Sequence, residues 1–90
     1  GETVNLTGFR VLLIDDDEDD YIHIRDLLGE IRSSKYTLAW EQHYAGGLKA
    51  LQEQSFDACL LDYRLGEKTG LDLLIESQGK DLSCPVILLT

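Results

Sequence analysis

Six consecutive acidic residues, Asp15, Asp16, Asp17, Glu18, Asp19 and Asp20, stand directly after the apolar run Val11-Leu12-Leu13-Ile14. A second apolar run, Ala58-Cys59-Leu60-Leu61, also ends in an acid, Asp62, and a third, Val86-Ile87-Leu88-Leu89, ends in the hydroxyl of Thr90. Carboxylates gathered at the ends of buried strands repel one another, and a cation among them makes the arrangement tolerable. Acid, acid and hydroxyl at three strand ends therefore suit a divalent metal ion and phosphoryl chemistry.

The elements that must position these groups follow from the apolar pattern. Val11 to Ile14 is too short for a helix and continuously apolar, which fits a strand buried on both faces of a parallel sheet. Ile24, Leu27, Leu28 and Ile31 recur at i, i+3, i+4 and i+7, the stripe of an amphipathic helix whose first turn holds acids where the helix dipole favours them. Ser33-Ser34 breaks the pattern, and Tyr36 to Trp40 supplies β-branched and aromatic residues for a second strand. Its charged continuation, Glu41-Gln42-His43, points to a sheet edge. Ala45 to Gln54 predicts a weaker helix, with Leu48 and Leu51 on its buried side and Gly46 and Gly47 lowering its propensity. Ala58 to Leu61 is the third strand. A polar, Gly-containing loop from Arg64 to Gly70 follows, then a third helix with Leu71, Leu74 and Ile75 inward and Gly79 near its end. Pro85 opens the fourth strand, Val86 to Leu89, where a missing N–H is tolerated. The polar start, Gly1 to Gly8, reads as a flexible lead-in.

Strand and helix alternate three times and finish on a strand, so the expected fold class is α/β, a doubly wound parallel sheet with helices on both faces. Ligands in such sheets bind beyond the carboxyl ends of the strands, where the strand order reverses. With order 2-1-3-4 that point lies between strands one and three, the two that end in acids.

Ninety residues bound the molecule to one small domain. A net charge of -9 argues against a nucleic-acid or anionic-membrane surface on this segment, since both need clustered Lys and Arg. Cys59 and Cys84 lack the close spacing of a zinc site and read as reduced thiols of a cytosolic protein. No apolar run approaches the roughly 20 residues of a membrane span, which makes the cytoplasm the default location.

The three strand-end motifs, with Leu60-Leu61-Asp62-Tyr63-Arg64-Leu65-Gly66 followed by Gly70-Leu71, and Cys84-Pro85 ahead of Val86 to Thr90, together resemble the receiver domain of two-component response regulators, in particular the chemotaxis-regulator type. Order and spacing agree along nearly the whole chain. Receivers of that type are themselves among the folds that illustrate the switch-point rule. The resemblance implies a flavodoxin-like receiver fold. It implies Asp62 as phosphoacceptor, taking a phosphoryl group from a histidine kinase or phosphotransfer domain, and Mg²⁺ (or Mn²⁺) held by Asp16, Asp62 and the carbonyl of Arg64, with Asp15 binding a metal-bound water. Thr90 would hydrogen-bond a phosphoryl oxygen and report phosphorylation to an output domain or downstream effector. Such a domain catalyses its own phosphorylation and dephosphorylation without being a conventional enzyme. The loop from Asp62 to Glu67 looks like that of receivers fused ahead of sensor-kinase or cyclic-dinucleotide domains.

A whole receiver continues through a fourth helix, a fifth strand and a fifth helix, so residues 9–90 are expected to form a receiver incomplete at its C-terminus. The family's lysine and aromatic switch residue, both on the fifth strand, are not matched here, and Lys49, Lys68 and Lys80 do not substitute. Such a segment would present Val86 to Leu89 as an exposed edge open to dimer formation. A pseudo-receiver, an interaction module that is not phosphorylated, is the alternative. The plainer reading of Asp62 is a turn cap, and of Asp17 to Asp20 a solvated helix start. Asp15, Asp17 and Asp19 mimic the opening of an EF-hand loop, but Asp20 stands where glycine is needed. A haloacid-dehalogenase phosphatase needs Thr or Ser shortly after Asp-x-Asp, where this chain has Glu18. His23 and His43 read as surface residues, and Tyr36 and Trp40 as packing residues.

Overall fold

The computed structural model describes residues 8–31, 35–77 and 84–89. Its main sheet has four parallel strands: β1 (Gly8–Ile14), β2 (Lys35–Glu41), β3 (Ala58–Asp62) and, last in the chain, β6 (Val86–Leu89). Their order is β2-β1-β3-β6, the arrangement expected from the sequence, with β1 and β3 adjacent at the reversal point. The register sets Ile14 beside Glu41 on one side and Leu61 on the other, and Asp62 beside Leu89. Strands β1 and β3 therefore end level. β1 begins at Gly8, three residues ahead of the expected Val11, yet only Val11 to Ile14 are buried within it. The rest of the lead-in lies outside the described residues.

Helix α1 (Glu18–Gly29) starts where the acid run ends its turn. Asp17 caps it by accepting a hydrogen bond from the Asp19 N–H at 2.9 Å, and Glu18, Asp19 and Asp20 fill the first turn. Its apolar stripe is shallower than the periodicity implies. Ile24 and Leu28 are half-buried, whereas Leu27 is 49% exposed and Ile31, beyond the helix end, 41% exposed. The helix lies chiefly against β2, so the flank carrying Leu27 and Ile31 faces away from the sheet.

The opposite face carries the core. Leu12, Ile14, Cys59 and Leu61 project from the sheet against Ala50 and Leu51 of helix α2 (Tyr44–Glu53) and Leu73 of helix α3 (Gly70–Ser77), with Phe56 and Leu65 closing the sides. Gly47 lets α2 approach, since a Cβ there would lie 2.6 Å from the Ile14 side chain. Cys59 is fully buried, which pushes its thiol up to about 12, and both cysteines are free.

Two expectations need correction here. The inward residues of α3 are Gly70, Leu73 and Ser77, with Leu74 half-buried; Leu71 is 45% and Ile75 67% exposed. Apolar residues at four of five positions from 71 to 75 leave the helical phase undetermined in the sequence, and contact with the sheet decides it. Gly79 lies outside the described residues. The expected loop from Arg64 to Gly70 is instead a hairpin, β4 (Arg64–Leu65) against β5 (Lys68–Thr69), turned by Gly66 at φ 70°. Leu65 is the buried plug of that hairpin. Lys68 lies over the Tyr44 ring at 4.5 Å, and Tyr44 donates to Glu76, which ties the hairpin to α2 and α3.

Candidate metal and phosphoryl site

Asp15 follows β1 directly and continues its ladder, its N–H donating to the Glu41 carbonyl at 3.1 Å. Its own carbonyl accepts from the Trp40 indole N–H at 2.8 Å, and the Trp40 ring stacks on Tyr21 of α1 at 4.4 Å. The backbone at the end of β1 is thus held from both β2 and α1. The Asp15 side chain is fully buried. One oxygen, Oδ1, accepts from the Asp17 N–H at 2.9 Å, which turns the chain into the helix cap. The other, Oδ2, is buried without a hydrogen-bond partner.

Asp16 is exposed, and Asp62, the last residue of β3, is half-buried. The Tyr63 N–H donates to the Leu89 carbonyl at 3.0 Å, which holds the β3 end against β6. Asp15, Asp16 and Asp62 each offer an oxygen within 4.8 Å of the others. The structure thus brings together the three acids that the sequence singled out. Arg64 and Tyr63, from the start of the hairpin, line the same open cleft together with Asp16, Asp17, Asp20 and Asp62. Thr90, expected as the hydroxyl of the site, lies outside the described residues. His23 and His43 are exposed; His43 stands at the cap position of α2 without a side-chain capping bond.

Burial and neighbouring acids oppose the ionisation of Asp15 and Asp62. Burial pushes the Asp15 carboxyl from 3.8 to about 7, and Asp20 and Asp62 add to the rise against the Asp17 N–H. Asp62 is raised as well, by burial first and then by Asp16 and Asp20, with the N–H groups of Tyr63 and Arg64 opposing. Among the described residues, the ion pairs Arg25–Asp26 and Lys68–Glu76 leave these acids aside. The donor set fits a small hard cation. Its ligand atoms are carboxylate oxygens, and the orphaned Asp15 Oδ2 has the polarity a cation or its water would satisfy.

Asp17 and Asp20 both line the cleft, although their place in the acid run reads as a solvated helix start; Asp17 is occupied as the helix cap, and Asp20 is not. It lies three positions after the cap Asp17, one helical turn on, and that spacing was the available signal that it shares the cleft.

Residues 11–90 match the family model described as the response regulator receiver domain. The chain is 32% identical over 89 residues to the alginate biosynthesis transcriptional regulatory protein AlgB of Pseudomonas aeruginosa, covering 99% of this chain and 19% of that protein. It is 33% identical over 81 residues to the transcriptional regulatory protein GlrR of Escherichia coli, covering 89% of this chain and 17% of that one. The chain therefore spans under a fifth of the length of these curated relatives. Among solved structures, the MaeR response regulator bound to beryllium trifluoride superposes with a TM-score of 0.77 at 27% identity, over 90% of this chain and 66% of that one. The complex of the histidine kinase ThkA with the response regulator protein TrrA gives a TM-score of 0.70 at 25% identity, over 90% of this chain and 67% of the matched one.

Proposed function

Because the chain belongs to the response regulator receiver domain family, we propose that it is the phosphoacceptor domain of a two-component system, phosphorylated on Asp62 by a histidine kinase or phosphotransfer domain. The observation that carries this reading is the position of Asp62, at the end of β3 beside Asp15 and Asp16 and open to the cleft. In the transfer an Asp62 oxygen attacks the phosphorus of a phosphohistidine. The new P–O bond forms as the P–N bond breaks, and the electron pair returns to the imidazole. A carboxylate is a weak nucleophile, so the residues around it contribute alignment and charge control rather than a strong base.

Asp62 must be ionised to attack, and the burial and neighbouring acids that raise its pKa work against that. Asp16, Asp62 and the Arg64 carbonyl would hold a divalent cation, Mg²⁺ or Mn²⁺, with Asp15 bonding one of its waters, and the ion would supply the missing positive charge. The ladder bonds at Asp15 and Tyr63 fix the strand ends, so the carboxylates stay in place when charge changes. Thr90 is the hydroxyl we assign to a phosphoryl oxygen and to reporting the phosphorylated state. Tyr63 and Arg64, exposed beside Asp62, offer the surface a kinase or effector meets.

The bound beryllium trifluoride of MaeR and the ThkA–TrrA complex support a phosphoryl site and a kinase partner by likeness. AlgB and GlrR are transcriptional regulators, which makes an attached or downstream output the matching expectation. The cytoplasm suits such a protein, since its thiols stay reduced there.

The test is to incubate the intact protein with a small phosphodonor and Mg²⁺ and follow incorporation by mass spectrometry. An alkali-labile phosphoryl group should appear on the native protein and be lost in Asp62→Asn. Label that persists in that variant would refute the assignment. Absence of both label and a beryllofluoride complex in the native protein would favour the unphosphorylated interaction module.

A further inference from the structure

The acid run gives the cleft more than the carboxylates at the strand ends. Asp20 lines it, whereas its neighbours Glu18 and Asp19 are not among the lining residues. It stands outside the group of Asp15, Asp16 and Asp62 oxygens that lie within 4.8 Å of one another, which sets it apart from that donor set.

A second, independent observation comes from Asp15, which has an oxygen within 4.8 Å of those of Asp16 and Asp62, two residues that line the cleft. Asp15 Oδ2 is fully buried and lacks any donor. An orphaned carboxylate oxygen with another carboxylate close by is costly unless something carrying protons lies between them. Mg²⁺ keeps several of its waters when it binds protein, and each water directs its protons away from the ion. Outer acceptors for those protons are what Asp20 and Asp15 Oδ2 provide.

We propose that Asp20 is an outer carboxylate of the cation site, accepting a hydrogen bond from a water in the shell of a divalent cation held by Asp16 and Asp62, with Asp15 behind another water, and so tightening the site for a hydrated cation. This rests on the reading of those three acids as the cation site. It separates Asp20 from Glu18 and Asp19, which serve the helix dipole.

Calorimetric titration of Mg²⁺ into the intact protein distinguishes the two levels. Asp16→Asn should abolish binding. Asp20→Asn should weaken it about tenfold, the usual effect of losing an outer partner. Asp19→Asn removes the same charge from the same helical turn and should change affinity less than about twofold, because an exposed charge outside the cleft is screened. Thermal unfolding in chelator should show each variant folded, with Asp20→Asn at least as stable as the native protein. If Asp20→Asn behaves like Asp19→Asn while Asp16→Asn abolishes binding, the role of Asp20 is overturned and the site itself stands. If Asp16→Asn retains native affinity, the cation site is overturned, and the role of Asp20 with it.

Discussion

Asp15 is a buried acid whose folded pKa, about 7, lies above its ordinary value of 3.8. The folded state therefore holds a proton that the unfolded chain has released, and ionising Asp15 in place destabilises the fold. Its contribution is fully present below pH 3.8 and is lost as pH rises through about 7. In chelator, stability should fall between pH 5 and 7.5, by on the order of a few kcal/mol at most, read as a lower unfolding temperature. Saturating Mg²⁺ should flatten that dependence, and scanning calorimetry across pH checks both. Asp16→Asn removes a repelling charge from the trio, so in chelator it should unfold at a higher temperature than the native protein while binding neither Mg²⁺ nor Mn²⁺. The trio was legible because each acid closes an apolar run or follows one that does. Asp20 was not, because its place in the cleft depends on the phase at which α1 meets the sheet.

At the scale of elements, the junction of β5 and α3 is the most constrained feature near the site. Gly70 donates its N–H to the Tyr63 carbonyl at 2.6 Å, and a Cβ on it would lie 2.5 Å from the Asp62 carbonyl and 3.0 Å from the Leu61 and Leu88 side chains. Gly70→Ala should cost about 1–3 kcal/mol through overpacking, read as a lower urea midpoint. It should also slow phosphorylation although residue 70 carries no chemistry, because the strand end that bears Asp62 must shift. Gly66→Ala, strained by its φ of 70° but free of neighbours within 4 Å, should cost about 1 kcal/mol and leave phosphorylation unchanged. The four sheet strands and three helices could be read from apolar periodicity, since each is a run or stripe flanked by breakers. The hairpin could not. Two-residue strands carry no periodic signal, and only the buried Leu65 reveals that the segment folds back.

For the molecule as a whole, apolar side chains are exposed on the edge strand and on both helical sides, Leu71 and Ile75 of α3 among them. Ile87 on edge strand β6 and Leu27 and Ile31 on the α1 side are all more than two-fifths exposed. The polypeptide of residues 1–90, on its own, should self-associate through that edge and face, whereas a protein that covers them should not. Sedimentation of the 1–90 polypeptide as a monomer that binds no apolar dye would contradict this.

Parallel strands also send every carboxyl end the same way. Asp15 to Asp20 and Asp62 gather at one rim of the sheet, with Arg64 the cation that lines the cleft beside them. That rim therefore carries a concentrated negative field, and a positively charged partner is turned toward it before the two surfaces touch. Its capture rate should drop steeply as added salt shortens the reach of that field.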